Sequence, residues 1–454
     1  MTKTATLVLA AGKGTRMQSD RPKVLQTLVG EPMLWYLFKA LEAMPRQDVL
    51  TVIGHGADQV RAAFLDYGGA WVEQVEQLGT GHALQMAWDA VTAGGADACL
   101  VVNGDTPLIP GEALVVLDNA CRDQGADLAF LSVRLADPGA FGRVVRADDG
   151  SVAAIVEAKD YDEAVHGPVT GEINAGIYWL RLETVGPLLD KLSDDNAGGE
   201  FYITDLVGLA VAAGLRVVAE TRDEAHLLGI NSPAELAWAE EMVRANINAA
   251  WMERGVIMHR PSLVSVGPRV RLSPGVELTG PCEIYGEAVV EAGAVLESGL
   301  WMRDSAVRQG AHVKPFCHIE GADVGPDCVV GPFARLRPGA VMEDGSRVGN
   351  FVEMKKARLG PGAKASHLTY LGDAEVGAGS NIGAGTITCN YDGKNKHPTV
   401  LGKNVFVGSN TALVAPVTVG EGALIGAGSV ITKDVEPHML AVSRAPQRQI
   451  KRRK

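Results

Sequence analysis

A chain of 454 residues exceeds what one ordinary hydrophobic core organises, so two or three domains are expected. Its formal charge of −12 argues against broad nucleic-acid binding and leaves any phosphate-bearing ligand to locally placed Lys and Arg, which points to small-molecule substrates. The 54 glycines lack collagen's strict period, and in a chain that is 46% hydrophobic they indicate many tight turns rather than disorder. Six cysteines (Cys99, Cys121, Cys282, Cys317, Cys328, Cys389) include no CxxC pair and no metal-like spacing, so reduced thiols without disulfides or zinc are expected. No stretch approaches a membrane span, and the apolar run Thr6–Ala11 is too short for a signal segment. A soluble, untargeted, cytoplasmic protein with no membrane partner is the expectation.

The chain opens on a strand-like run, Thr4–Leu9, that leads into LAAGKGTRMQSDRPK (Leu9–Lys23). Gly12 and Gly14 allow a sharp turn that brings backbone N–H groups against an anion, and Arg16 and Lys23 supply charge for phosphate oxygens. The segment is neither a dinucleotide fingerprint nor a GxxxxGK[ST] loop, and a lone GxG reads equally as a plain turn. Further strand-like runs near Leu50, Cys99 and Ala126 alternate with helix-like segments up to about Ile230, the pattern of a βα fold with a mostly parallel sheet. Ligands of such sheets bind past the carboxyl ends of the strands. Asp105, in Asn103-Gly104-Asp105, stands there as a carboxylate able to hold Mg²⁺ or as a turn residue. Asn231, after Leu227–Ile230, offers a second oxygen ligand and reads as well as a helix cap. His55, Glu76 and His82 carry no signal that demands chemistry.

GxGTRM followed by Pro-Lys resembles the signature of sugar-1-phosphate nucleotidyltransferases, and the resemblance widens downstream. EQLGTGHA (Glu76–Ala83), NGD (Asn103–Asp105), FGRVVR (Phe141–Arg146), VEAKD (Val156–Asp160), EINAGIY (Glu172–Tyr178) and GIN (Gly229–Asn231) occur in order. They resemble the uridylyltransferase half of the bifunctional N-acetylglucosamine-1-phosphate uridylyltransferase/glucosamine-1-phosphate N-acetyltransferase family. The resemblance implies that Leu9, Ala10, Ala11 and Gly12 border the nucleotide, that Gln74, Gly79 and Thr80 contact uracil, and that Gly142, Glu157 and Asn174 contact the amino sugar. It makes Arg16 and Lys23 catalytic and Asp105 and Asn231 ligands of Mg²⁺. The position before Gly104 is often aromatic in that family and is Asn103 here, so a ring contact to the nucleotide is missing or replaced.

From Ser232-Pro233 a stretch without Gly or Pro until Gly255 predicts a helix of about 20 residues, roughly 30 Å long, read as an arm between domains. The expected division is residues 1–231, a linker 232–255, and 256–454. Beyond Val266 aliphatic residues recur every six, at Val266, Leu272, Leu278, Ile284, Val290 and Leu296, and again in runs starting at Val307, Val324 and Leu401. A six-residue period predicts a parallel β-helix with one inward aliphatic residue per face. The repeat alone is compatible with a pure scaffold, and its phase slips mark nothing by themselves. Two slips, between Met354 and Val376 and between Ile382 and Leu401, carry polar groups with no packing role: Lys355, Lys356, His367 and Tyr370, then TCNYDGKNKHPTV. Imidazole is a good base near neutral pH, although a lone His in a solenoid is more often packed or solvated.

This half resembles hexapeptide-repeat acyltransferases, which wind left-handed and form homotrimers. GPFARLRPGA (Gly331–Ala340), GNFVEMKKARLG (Gly349–Gly360), SHLTYLGD (Ser366–Asp373) and NIGAGTITCNYDG (Asn381–Gly393) match the acetyltransferase motifs of the same bifunctional family. The resemblance implies that His367 is the general base with Glu353 orienting it, and that Arg337, Lys355, Tyr370, Asn381 and Lys396 bind sugar phosphate. It sets Ala384, Asn390, Tyr391, Ser409, Ala427 and Arg444 towards acetyl-CoA. The tail Lys451–Lys454 reads as a solvated end, with a lesser role in attracting coenzyme A phosphates. The implied activity is acetylation of glucosamine-1-phosphate from acetyl-CoA, then Mg²⁺-dependent transfer from UTP, giving UDP-N-acetylglucosamine for cell-wall peptidoglycan and lipid A precursors. A monofunctional nucleotidyltransferase with a β-helix for assembly lacks the His367 and NYDG motif set. A non-catalytic assembly protein is disfavoured by intact Arg16, Lys23 and Asp105.

Overall fold

The computed structural model describes residues 3–44, 48–222 and 227–452, and the chain divides into two compact units, Met1–Glu240 and Glu241–Lys454. In the first, a sheet runs in the order Val217–Arg222, Leu128–Arg134, Glu172–Arg181, Ala98–Asn103, Thr4–Ala10, Val49–Ile53, Ala70–Glu73. Neighbours along it are parallel except Glu172–Arg181, which is antiparallel to both strands beside it. Successive side chains of a strand point to opposite faces, so Leu7 and Val101 join one core with Leu84 and Val91 of the helix Thr80–Ala93. Val8 and Leu100 join another with Leu34 and Leu37 of the helix Met33–Leu41 and Leu114 and Leu117 of the helix Gly111–Asp123. Helices clad both faces, and for that reason the central strands read as unbroken apolar runs. The carboxyl ends of the parallel strands lie at one edge, where the loops after Ala10 and Asn103 meet.

The helix Pro233–Glu253 spans the division between the units. Its start is capped by Ser232 Oγ, which accepts from Glu235 N at 3.2 Å, while the Glu235 carboxylate reaches back to Asn231 N. Within the first unit Glu240 accepts from Val29 N at 3.1 Å; within the second, Asn248 donates to the carbonyls of Pro261 and Val264 at 3.0 and 2.8 Å.

The second unit is a parallel β-helix of three sheets with 11, 10 and 9 strands. Each strand pairs with the one a coil later: Val264 with Cys282, 18 residues on, and Trp301 with His318, 17 on. A 17-residue coil drops one residue at a corner, and this is the origin of the phase slips. Through the slip after Met354 the inward positions continue as Leu359, Ala365, Leu371 and Val376, all buried. Ala365 is too small to register in an aliphatic count. The coil that pairs Glu375 with Val400 has 25 residues and holds a projecting loop. All six cysteines are free, five of them buried.

The corners recur in a left-handed backbone conformation. At one of them Gly299, Phe316, Phe333, Phe351, Leu368 and Gly385 follow each other coil by coil, with φ of 61°, 54°, 57° and 49° at the four non-glycine positions. The three phenylalanine rings stack with centroids 5.1 and 5.5 Å apart and are about half exposed, as is Leu368. Bulky side chains in this region of φ/ψ space carry a strain of roughly 1–3 kcal/mol each that glycine avoids.

Candidate active sites

In the first unit a cleft of about 590 Å³ opens at the carboxyl ends of the strands and is lined by Leu9, Ala10, Ala11, Gly12, Arg16, Lys23, Gln74, Gly79, Thr80, Asn103, Asp105 and Asn231. Every nucleotide-side residue expected from the sequence therefore borders one cavity. The turn after the first strand depends on Gly14 rather than on both glycines. Gly14 has φ +60°, and a Cβ there would stand 2.6 Å from Lys23 Cβ, whereas a Cβ on Gly12 would meet open space.

One cation and one carboxylate in the cleft pair with each other, and an amide gathers two of its cations. Lys23 Nζ is ion-paired with Asp105 Oδ2 and donates to Asn231 Oδ1 at 2.8 Å, and Arg16 Nη2 donates to the same Asn231 oxygen at 2.8 Å. Asp105 Oδ1 is buried with no hydrogen-bond partner. An orphaned carboxylate oxygen beside an amide oxygen that two cations already seek is the donor chemistry of a hard divalent ion, so these residues fit Mg²⁺. Among the described residues no group of three His, Cys, Asp or Glu is placed to hold a metal.

Gln74 is buried, its Nε2 held by Gly79 O and His82 Nδ1, both at 3.0 Å, so its Oε1 is the acceptor left to face a ligand. His82 thus orients Gln74. Thr80 Oγ1 accepts from Ile203 N at 3.1 Å. Asn103 packs where Gly176 has φ +75° at a strand irregularity, and a side chain at Gly176 would overlap the Asn103 amide. The three amino-sugar residues also come together: Asn174 N donates to Gly142 O at 2.9 Å, and Gly142 lies against the Glu157 carboxylate. Glu157 accepts from Thr204 Oγ1 at 3.1 Å, and burial pushes its carboxyl above the ordinary glutamate value. Asp205 beside it is pushed up to about 6, by desolvation first and then by Asp160.

In the second unit His367 ends the strand Lys364–His367, in register with Asn350 one coil earlier, and its Nδ1 lies 2.7 Å from Asn350 Oδ1. The family resemblance implies an orienting role for Glu353; within the chain it is Asn350, not Glu353, that contacts His367. Glu353 stands past the corner on the next face, in register with Arg335 and Tyr370, and its carboxylate is taken by Arg337 at 2.9 Å with Arg335 at 4.0 Å. Asn350 was the residue missed, although the coil spacing that separates it from His367 was readable.

Residues just before each left-handed corner form a column. Asn350, His367, Ala384, Ser409 and Ala427 precede Phe351, Leu368, Gly385, Asn410 and Gly428, and Arg444 Nη1 donates to Ala427 O. Ala384, Ser409, Ala427 and Arg444 are thus brought onto the line of His367. Asn390 is not: it is buried, and its Nδ2 donates to Asp373 Oδ2 at 2.5 Å, because it anchors the projecting loop. Tyr391 is exposed on that loop. Lys396 comes against Lys355, and its ammonium holds the Lys355 ammonium below the usual lysine value, with Arg337 adding to the positive field. Asn381 lies apart from this cluster, on the His367 face opposite Lys364. Arg453 and Lys454 of the basic tail lie outside the described residues.

Residues 6–160 match the family model of the MobA-like NTP transferase domain, and residues 398–433 match that of the bacterial transferase hexapeptide (six repeats). The solenoid is accordingly the left-handed hexapeptide β-helix. The chain is 58% identical to the protein named bifunctional protein GlmU of Nitratidesulfovibrio vulgaris (strain DSM 19637 / Miyazaki F), over 99% of each chain. It is 43% identical to the GlmU protein of Acinetobacter baylyi over 98% of this chain and 96% of that one, and 42% identical to that of Lawsonia intracellularis over 100% and 99%. With both halves matched and relatives this similar from end to end, the chain belongs to the family of bifunctional GlmU proteins.

Proposed function

We propose that this chain acetylates glucosamine-1-phosphate with acetyl-CoA in its second unit and joins N-acetylglucosamine-1-phosphate to UTP in its first, releasing pyrophosphate and giving UDP-N-acetylglucosamine. The observation that carries the reading is that each unit holds a cluster of its own: the Arg16, Lys23, Asp105 and Asn231 cleft in one, the Asn350–His367 column and the paired cations Lys355 and Lys396 in the other.

In acetyl transfer, Asn350 Oδ1 accepts a hydrogen bond from His367 Nδ1–H, which keeps the proton on Nδ1 and leaves Nε2 free as base. Nε2 takes a proton from the sugar amine as its nitrogen attacks the thioester carbonyl; the N–C bond forms, the C–S bond breaks, and the proton on Nε2 passes to the departing sulfur, so coenzyme A leaves as the thiol. Arg337, Lys355 and Lys396 hold the phosphate, Tyr370 and Asn381 border the sugar, and Ala384, Ser409, Ala427 and Arg444 guide the coenzyme along the column. Glu353 keeps Arg337 in place.

In uridylyl transfer, Gln74, Gly79 and Thr80 seat uracil, and Gly142, Glu157 and Asn174 seat the acetylated sugar. Asp105 and Asn231 would hold Mg²⁺, which when bound neutralises triphosphate charge. Arg16 and Lys23 stabilise the pyrophosphate as it leaves.

The half-exposed stack Phe316, Phe333, Phe351, continued by Leu368, supports self-association as a homotrimer, since the rings cover one another only in part and leave a strained apolar edge facing water. Light scattering of the Phe351→Glu protein, expected to dissociate and lose acetyl transfer, tests this. No helix of the described residues is long and apolar enough to cross a membrane.

The two activities are separable by assay. His367→Ala should remove thiol release from acetyl-CoA while UDP-N-acetylglucosamine still forms from supplied N-acetylglucosamine-1-phosphate, and Arg16→Ala should do the reverse. Wild-type protein that released no thiol would falsify the bifunctional reading.

A further inference from the structure

Among the described residues, one coil of the solenoid is longer than the others. Ile387 pairs with Ala412, 25 residues on, where neighbouring coils step by 17 or 18. The surplus forms the loop after Asn390, and the loop is internally built. Tyr391 and Lys396 bridge in antiparallel fashion, His397 N donates to Asn390 O at 2.8 Å, and Asp392 N donates to Asn395 O at 3.1 Å. The Asp392 carboxylate gathers the tip: Oδ1 accepts from Lys394 N at 2.8 Å and Asn395 N at 2.6 Å, and Oδ2 from His397 Nε2 at 2.7 Å. The Asn395 amide, His397 and the Lys394 amide together draw the Asp392 carboxyl down to about 2, so it stays an anion across the working range.

Lys396 sits inside this clasp, next in sequence to His397 and bridged to Tyr391. Its ammonium faces that of Lys355, with Arg337 and Asp373 the other charges acting on Lys355. Two ammonium groups repel, and that repulsion acts on the backbone that carries Lys396, so a loop free to open would let the pair separate. Something must hold the loop stem closed before the anion arrives.

We propose that the Asp392–His397 pair is a positioning clasp that holds Lys396 over the sugar-phosphate cradle, making His397 and Asp392 determinants of sugar-phosphate affinity without touching substrate. The proposal rests on the reading of Arg337, Lys355 and Lys396 as a phosphate cradle. A pre-set cation needs no reordering when phosphate binds, so the clasp acts on binding and leaves proton transfer at His367 alone.

The test is steady-state acetyl transfer by the full-length protein, with glucosamine-1-phosphate and acetyl-CoA varied separately. His397→Ala should raise the KM for glucosamine-1-phosphate about tenfold, with kcat within about twofold and the acetyl-CoA KM unmoved. His397→Gln restores a side-chain donor to Asp392 and should recover most of the loss. Asp392→Asn keeps an oxygen for the two backbone amides and an amide that can donate to a neutral imidazole, and should raise the same KM by less than His397→Ala does. An unchanged sugar-phosphate KM in His397→Ala, or a fall confined to kcat, overturns the clasp. Lys396→Ala distinguishes the underlying reading: if it leaves the KM for glucosamine-1-phosphate unchanged, the cradle itself is wrong. If Lys396→Ala raises that KM and His397→Ala does not, only the clasp fails.

Discussion

Asn350 Oδ1 and His367 Nδ1 stand 2.7 Å apart across two adjacent coils, and this contact decides which ring nitrogen is available for chemistry. Without the amide the imidazole can rotate and change tautomer. Asn350→Ala should therefore slow acetyl transfer by less than the roughly 10²–10⁴-fold expected for His367→Ala, and the double variant should be no slower than His367→Ala alone. Thiol release from acetyl-CoA measures all three. Further slowing in the double variant would mean the two residues do not act as a unit.

Lys23 is ion-paired with Asp105 and bonded to Asn231, the two residues proposed to hold Mg²⁺. Metal must displace it or share the site with an ammonium. Lys23→Met should bind Mn²⁺ at least about tenfold tighter than wild type in the absence of nucleotide, read by titration calorimetry, while its uridylyl transfer falls. Equal or weaker Mn²⁺ binding would exclude competition between the lysine and the ion.

Burial lifts the Glu157 carboxyl above the ordinary range; Thr204 relieves this in part, and Asp205 and Asp160 add to it. As pH falls, Glu157 therefore takes up its proton earlier than an exposed glutamate, and a neutral carboxyl accepts hydrogen bonds from a sugar less well. The KM for N-acetylglucosamine-1-phosphate should rise from about pH 8 to about pH 5 more steeply in wild type than in Glu157→Gln. Equal slopes would assign the whole dependence to the substrate's own phosphate.

Arg146 forks onto the buried carboxylate of Glu172, with Nε and Nη2 at 2.8 and 2.7 Å, and so ties the hairpin that follows Gly142 to the strand bearing Asn174. Desolvation alone would raise the Glu172 carboxyl, but Arg146, Ser132 and Thr221 outweigh it and leave it below the usual value. A depressed carboxyl contributes stability above its unfolded value that is lost as pH falls through its folded one. Arg146→Met should cost about 2–3 kcal/mol near pH 7 in urea unfolding, discounted because the guanidinium is a third exposed, and the cost should shrink below about pH 4. A pH-independent cost would point to lost packing of the arginine stem instead.

The alternation of Thr4–Leu9, Leu50 and Cys99 runs with helices was legible because strands covered on both faces are apolar throughout, and the six-residue period because one residue per face must point inward. The slips were visible but not their cause: Ala365 and Thr388 fill inward positions without looking aliphatic. Arg16, Lys23, Asp105 and Asn231 carried a local signature and met in space. Asn350 carried no local signature, only its coil spacing from His367, and Glu353, which the family resemblance implied, stands past the corner on another face. That Gly14 and not Gly12 requires glycine, and that one oxygen of Asp105 is left without a partner, depended on atoms from elsewhere in the chain.

The coils of the second unit work as a ruler. Residues in register on adjacent coils, such as Asn350 and His367 or Glu353 and Tyr370, are separated by the inter-strand spacing of about 4.8 Å whatever their side chains are. Distances along the solenoid axis are therefore quantised, and exchanging side chains cannot stretch the site. Only an insertion at a corner supplies a continuously adjustable element. The 25-residue coil is such an insertion, so drift in substrate preference should begin with the length and closure of its loop while the ladder beneath it stays unchanged.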